Sequence, residues 1–317
     1  MIEIKIQNNS SVNKEELLKL NLYQRRKELG RELNTEEIRK AERLTEGMLN
    51  SFITINFLAY EKEELIGWLG VREVVPPTVL FYENHPIIKA SEKEQKQIAQ
   101  KLLLKSFEYA TKKNITNIRV FVDVPEERKK RFLELEEYYL YAGMKQTHTV
   151  LCMENKLSTD KLKGIVINSE YHIESPNSQT PESLKNCYEK IFTKSFDNFT
   201  NSLDSEERKY WNTIASRNFN EASLVIKKEK EIVAIILAVD YGDFMELGPI
   251  GVVSDHRGKK LGKVLMEECL TRLIKMEKIE SYLEVDQTNA PAINLYESYG
   301  FGEVSKKHGF LYRKNSD

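Results

Sequence analysis

Cysteine is scarce in this 317-residue chain, which has three, at Cys152, Cys187 and Cys269. The number is odd and the spacing wide, so no disulfide framework and no metal-ligand spacing is legible, and a reducing cytoplasm fits. A charge excess is missing as well: 48 basic side chains face 49 acidic ones, for a formal net charge of -1. That balance gives no overall reason to expect a nucleic-acid or membrane-surface partner. Long apolar runs are absent too. The longest, residues 232–239, is strand-sized and too short to span a bilayer. The first ten residues, MIEIKIQNNS, do not read as a signal peptide. Glycine is thinly spread, with none between Asn84 and Lys113. What is present suffices for proper cores: 40% hydrophobic residues, 9% aromatic, and a length whose natural expectation is two domains.

The most informative stretch lies near the C-terminus. Residues 245–253 are apolar, β-branched and bounded by turn residues, which predicts a strand. A polar turn carrying glycine follows. From Leu261 the apolar positions Val264, Leu265, Cys269, Leu270, Leu273 and Ile274 keep helical spacing. A strand, a glycine-bearing turn and a helix start make an anion site, because the first helical turn has unpaired N–H groups and the helix dipole favours negative charge. Gly258 and Gly262 leave room for close approach. Arg257, Lys259, Lys260 and Lys263 add positive charge. The ligand such chemistry predicts carries a pyrophosphate or several phosphates. By local pattern alone, an ordinary βα turn with a solvated basic face fits equally well.

The chain in order predicts a strand at 1–6, helices at 13–33 and 35–49, and a hairpin at 51–60 and 65–75 punctuated by Pro76-Pro77. A strand at 79–82, a long helix at 92–113, a strand at 117–122, a helix at 126–141 and a strand at 144–153 follow. Residues 154–163 are polar and read as a linker. A second series then runs through a strand at 165–173 and helices at 181–196 and 204–217, the latter opened by an Asp204-x-x-Glu207 capping pattern. A hairpin at 222–227 and 231–241 leads into the C-terminal stretch, which ends near Arg313. The order of elements is the same in both halves, which predicts a duplicated domain. Tyr139 falls opposite Tyr296, and residues 91–99 align with 254–262.

The motifs carry a resemblance. Arg257-Gly258-Lys259-Lys260-Leu261-Gly262 resembles the Arg/Gln-x-x-Gly-x-Gly/Ala motif of the GNAT superfamily of acyl-CoA-dependent N-acyltransferases, with Lys260 where glycine is usual. Asn289, Ala292, Leu295-Tyr296 and Gly300-Phe301 match the family's second motif at its full spacing. The resemblance implies an α+β fold, a mixed, mostly antiparallel central sheet flanked by helices, in two tandem GNAT-like domains. Residues 1–155 are then a degenerate copy and 163–317 the catalytic one. It further implies acetyl-CoA as co-substrate, no metal, and an amine acceptor, either a small molecule or a peptide amine. The residues expected to hold the cofactor are Val252 and Val253, whose backbone would pair with the pantetheine arm and donate to the thioester oxygen, Arg257 through Lys263 (Gly258, Lys259, Lys260, Leu261 and Gly262 between them) on the pyrophosphate, and Asn289 as cap or contact. Tyr296 is the expected general acid, against a reading as a helix tyrosine stacked on the sheet. Glu246 ranks first as base, ahead of Glu284 and Asp286, each of which also reads as an ordinary carboxylate; His256 reads as a loop residue. Two other classes compete: a non-catalytic CoA-binding or regulatory module, and an interaction domain made by the N-terminal half.

In that half the residues aligned with the phosphate turn are Glu94-Gln95-Lys96-Gln97-Ile98-Ala99. Glu92 and Glu94 compete with a phosphate for the same N–H groups. The loop at 125–131 is long and charged. The expectation is a copy that keeps the fold, loses the cofactor and leaves Tyr139 as packing.

Overall fold

The computed structural model describes residues 2–50, 54–75, 78–124, 129–193, 195–214, 220–242 and 244–314. The Pro76-Pro77 break, most of the loop at 125–131 and the end of the helix expected at 204–217 lie outside the described residues. The chain divides into two compact units, one of residues 1–147 with 307–317 and the other of 148–306. Each is a mixed sheet flanked by helices. Among the described residues no helix is long and apolar enough to cross a membrane.

The first unit contains β1 (Ile2–Asn8), α1 (Lys14–Leu29), α2 (Thr35–Asn50), β2 (Thr54–Glu61), β3 (Glu64–Val75), β4 (Thr78–Phe81), β5 (Ile87–Ile88), α3 (Glu92–Lys112), β6 (Asn117–Asp123) and α4 (Lys129–Tyr141). Its strands run β1-β2-β3-β4-β6, antiparallel except for the parallel β4–β6 pair. The buried residues of α3, Ile98, Ala99, Leu102, Leu103 and Phe107, recur at three- and four-residue steps, so one helical stripe packs on Phe57, Leu69, Val120 and their neighbours. Asn13 caps α1 by accepting from the Glu15 and Glu16 N–H groups.

The second unit contains the later part of β7 (Lys145–Lys156), β8 (His172–Glu174), α5 (Pro181–Phe192), α6 (Asn198–Asn201), α7 (Ser205–Ile214), β9 (Leu224–Lys228), β10 (Glu231–Asp240), β11 (Met245–Val252), α8 (Leu261–Lys275), β12 (Glu280–Asp286), α9 (Ala290–Glu297) and the start of β13 (Gly302–Arg313). Its strands run β7-β12-β11-β10-β9-β8, again antiparallel except for one parallel pair, β11–β12. Alternate residues of β10 separate two cores. Ala234, Ile236 and Ala238 face α8, while Ile235 and Leu237 face α5. Asp204 and Glu207 form the expected capping box at the start of α7, each carboxylate accepting the other's backbone N–H.

The halves of the sequence are not the units of the structure. From Val150 on, β7 pairs with β12, and Met153 lies 1% exposed in the second unit's core. From Lys307 on, β13 pairs with β6 of the first unit, whose core takes in Phe310. Glu154, Asn155 and Lys156, read from sequence as linker, are therefore sheet: Glu154 and Lys156 are exposed, Asn155 is buried and donates to Tyr299 O, and pairing with residues far along the chain decides their conformation. The strand expected over 165–173 shrinks to His172–Glu174.

Candidate acyl-CoA cleft in the second unit

The parallel ladder between β11 and β12 holds for Met245–Ser281, Glu246–Tyr282 and Leu247–Leu283, then stops. At the same point β11 bulges. Ile236 of β10 faces Ile250 while Ala238 faces Leu247, so β11 carries one residue more than its partner across Gly248-Pro249. Beyond the bulge β11 stays with β10 and parts from β12, opening a wedge in the sheet.

Register decides which backbone groups line that wedge. Val253 N–H donates to the Val233 carbonyl at 2.9 Å. In an antiparallel ladder the hydrogen-bonding direction alternates residue by residue. Val253 and Gly251 therefore turn toward β10, and Ile250 and Val252 turn toward the side from which β12 has diverged. The sequence reading offered the N–H groups of both Val252 and Val253 to a thioester. The structure corrects this: Val253 is committed to the sheet and 7% exposed in the α5 core, and the outward donors are Val252 and Ile250. Gly251 answers to packing. A Cβ there would lie 2.2 Å from Ile191 Cγ2, so only glycine lets α5 lie this close to the strand.

After Val253 a short turn of 3-10 helix (Ser254–His256) leads into Arg257, Gly258 with φ 75° and Lys260 with φ 64°. Lys260, where the motif usually has glycine, thus adopts the left-handed conformation a glycine would hold freely. The departure costs about 1 kcal/mol and leaves its side chain exposed. No side chain caps α8, and its first turn carries no acidic residue. The Leu261, Gly262 and Lys263 N–H groups precede the first intrahelical donor, Val264, which bonds Lys260 O at 3.0 Å. Gly262 is not required by packing: a Cβ would meet Leu295 at 3.4 Å and Val252 at 4.0 Å, ordinary contact. Its bareness faces the turn.

Arg257 is placed differently from expectation. Its Nε donates to Val252 O at 3.0 Å and Nη2 to Ile191 O at 3.2 Å. The fork ties the turn to the ends of β11 and α5 rather than reaching out as a phosphate clamp. Lys259 Nζ sits 5.9 Å from the Tyr171 ring, and the Tyr171 hydroxyl meets His256 Nδ1 at 3.1 Å, so His256 is the loop residue expected.

Asn289 caps α9, accepting from Ala292 N–H at 3.3 Å. One helical turn further on, Tyr296 is 5% exposed, its ring edge-on to Phe301 with centroids 6.2 Å apart. Its hydroxyl makes no hydrogen bond among the described residues, although buried tyrosines usually find a partner. Burial, with the Asp197 carboxylate adding to it, raises this phenol well above the usual tyrosine range, so it is a proton donor at neutral pH.

The three carboxylates separate. Glu246 sits half-buried on β11, one register step before the wedge and beside Tyr282. Glu284 is exposed and accepts from the Tyr282 hydroxyl at 2.8 Å. Asp286 is a structural anchor: it is 4% exposed and accepts from the Asn198 N–H at 2.9 Å, Asn198 Nδ2 at 3.2 Å, Thr288 N–H at 2.9 Å and Thr288 Oγ1 at 2.7 Å. This holds the loop around α6 to the end of β12. Neither that loop nor Asp197 stands out in the sequence. The bulge had a signal, the Gly248-Pro249 pair inside an apolar strand.

The corresponding part of the first unit is filled. The parallel β4–β6 ladder also stops early, at Leu80–Arg119. There the chain turns through residues 82–86, and that turn is held by buried side chains. Arg131 Nη2 donates to Asn84 O at 2.8 Å and also to Pro86 O, the Tyr139 hydroxyl donates to His85 O, and His85 Nδ1 accepts from Gly70 N–H at 3.0 Å. Burial, reinforced by Arg131, pushes His85 down to about 3, so it is neutral. Only Lys89, Ala90 and Ser91 separate β5 from α3, where residues 253–260 separate β11 from α8. The alignment of residues 91–99 with 254–262 therefore shifts. Glu92, not Ile98, stands at the helix start opposite Leu261, and Glu94 through Ala99 lie within α3. Ser91 O accepts from both Glu94 and Gln95 N–H groups, at 2.9 and 3.0 Å.

The sheet is thus wedged open beside the start of α8, and the helix that follows carries Tyr296, whose hydroxyl has no partner among the described residues. In comparison with known proteins, residues 184–301, within the second unit, match the model of the Acetyltransferase (GNAT) family. The curated [Ribosomal protein bS18]-alanine N-acetyltransferase of Escherichia coli strain K12 is 38% identical over 61 residues, 19% of this chain and 41% of its own length. The chain thus spans about two-fifths of the curated relatives it matches. Among solved structures, a GCN5-related N-acetyltransferase from Sphaerobacter thermophilus superposes with a TM-score of 0.64 at 14% identity, covering 100% of this chain and 97% of that one. A tandem GNAT protein from the clavulanic acid biosynthesis pathway gives 0.58 at 12% identity over 100% of both chains. At such identities the likeness speaks for the fold, including its tandem form.

Proposed function

We propose that the second unit transfers an acetyl group from acetyl-CoA to an amine by direct attack, and that the first unit keeps the fold without binding the cofactor. The observation that carries the first part is the wedge between β11 and β12, with the outward Ile250 and Val252 backbone leading into the uncapped start of α8. The pantetheine arm lies along that backbone as an added strand, and the pyrophosphate meets the N–H groups of residues 258–263. Arg257 holds the turn in shape. A neutral amine nitrogen forms its bond to the acyl carbon and the C–S bond breaks. The amine proton passes to Glu246, directly or through water, and Tyr296 protonates the departing thiolate.

For the first unit, the filled turn at residues 82–86, the short connection into α3 and the engaged Tyr139 hydroxyl support a domain closed to acyl-CoA. The duplication then covers two domains that trade their last strands, rather than the contiguous spans 1–155 and 163–317. The deciding experiment is calorimetric titration of the intact chain with acetyl-CoA, followed by thiol release with a panel of amines. One equivalent per chain and amine-dependent thiol release are expected. No binding removes the cleft reading, and two equivalents remove the closed-domain reading.

A further inference from the structure

The face of the second unit's sheet opposite α8 carries an arrangement the cofactor does not use. Met245, Leu247, Leu283 and Val285 point into the core under α8. By alternation Glu246, Tyr282 and Glu284 stand on the other face. There Phe244 packs edge-on to Tyr282 at 5.9 Å, and Tyr241 stacks on Phe244 at 5.3 Å. These rings are not core: Tyr241 is 57% and Phe244 37% exposed. The Tyr282 hydroxyl donates to Glu284 Oε1 at 2.8 Å, which fixes the ring beside Glu246. On the next strand Glu154 stands directly across from Tyr282.

We propose that this face docks the acceptor, and that the acceptor is an amine with more than one positive charge, a diamine or polyamine. The inference rests on the acyl-transfer reading above. Charge complementarity is the argument. Glu246, Glu284 and Glu154 give the face negative charge next to the wedge, and exposed aromatic rings attract alkylammonium groups and cover the methylene chain between them. Neighbouring strands lie about 4.8 Å apart, so Glu246 and Glu154, two strands apart, are spaced roughly 10 Å. That separation suits a second ammonium on the same small molecule. The nitrogen at Glu246 loses its proton and reacts, and the distal ammonium stays charged over Tyr282 and its neighbouring carboxylates.

The test uses the full-length protein with spermidine, n-butylamine and a lysine-containing peptide as probes. Calorimetry of spermidine in the presence of CoA reads docking without turnover, and thiol release from acetyl-CoA reads the reaction. Spermidine is expected to bind, and to be acetylated with a KM at least ten times lower than that of n-butylamine. Glu284→Gln and Phe244→Ala should each weaken spermidine at least fivefold while leaving acetyl-CoA affinity unchanged, and Glu284→Gln should weaken n-butylamine less than spermidine. Raising the salt concentration should weaken spermidine more steeply than n-butylamine, which carries a single charge. Failure of spermidine to bind, equal binding by both variants, or a preference for the peptide overturns the inference, even where acyl transfer to other amines stands. Spermidine binding that depends on Glu284, with no thiol release for any amine, keeps the docking face and removes the catalytic reading instead.

Discussion

Gly262 separates what the fold needs from what a ligand needs. Its Cβ would make only ordinary contacts, and alanine suits a helix better than glycine by up to about 1 kcal/mol. Gly262→Asp, whose carboxylate also suits a helix start, is therefore expected to leave the thermal midpoint nearly unchanged, while acetyl-CoA affinity falls because bulk and negative charge stand where the phosphate approaches. Calorimetry beside a thermal melt reads both, and unchanged affinity would show that no ligand comes that close. Gly251 is the opposite case. Gly251→Ala drives a methyl group into Ile191 and should destabilise the unit by about 1–3 kcal/mol, read by denaturant titration. Tyr296→Phe removes a proton donor without removing bulk. It should lower kcat by about 100-fold at unchanged acetyl-CoA KM, and an unaffected kcat would make the tyrosine purely structural.

At the scale of elements, the exchanged strands decide which pieces of the chain can fold. A fragment of residues 163–317 lacks β7, so β12 becomes a bare edge and the core loses Met153. Asn155 Nδ2, which donates to Tyr299 O at 3.2 Å, goes with it. A fragment of residues 148–306 keeps that strand and omits the segment of β13 that belongs to the first unit. The longer-starting fragment is expected to show dispersed amide NMR signals and a cooperative melt, and the 163–317 fragment to show neither. Equal folding of the two would mean that β7 is dispensable.

At the scale of the whole molecule, pH reports on the packed cores. Burial pushes the Cys187 and Cys269 thiols from the ordinary 9.0 up to about 12. Below about pH 9 both native and unfolded chains hold these protons. As pH rises from 9 toward 12 the unfolded chain releases them and the native one does not, so the unfolded state binds fewer protons and stability falls. Buried phenols such as Tyr188 and Tyr299, also raised by burial, add to the same slope. The denaturant midpoint should drop between pH 9 and 11 and stay flat from pH 7 to 8.5. A flat profile to pH 11 would mean that these thiols are not held in a dry interior.

The sequence by itself determined the elements whose cause is local. The helical stripe after Leu261, the β9–β10 hairpin and the motif from Arg257 to Gly262 are all written in neighbouring residues. So was the repeat of element order, because each copy must bury the same faces. Tertiary structure decided whatever depends on partners far along the chain. Glu154 to Lys156 became strand because β12 lay ready to pair with them, and residues 307–313 joined β6 for the same reason. A hydrogen-bond ladder records no sequence distance, so no local pattern could announce either exchange. Register alone turned Val253 inward and Ile250 and Val252 outward, since a one-residue bulge redirects every N–H beyond it. Tyr139 and Tyr296 look equivalent in sequence. Only their surroundings differ: a carbonyl accepts a hydrogen bond from one hydroxyl, and no described residue accepts one from the other.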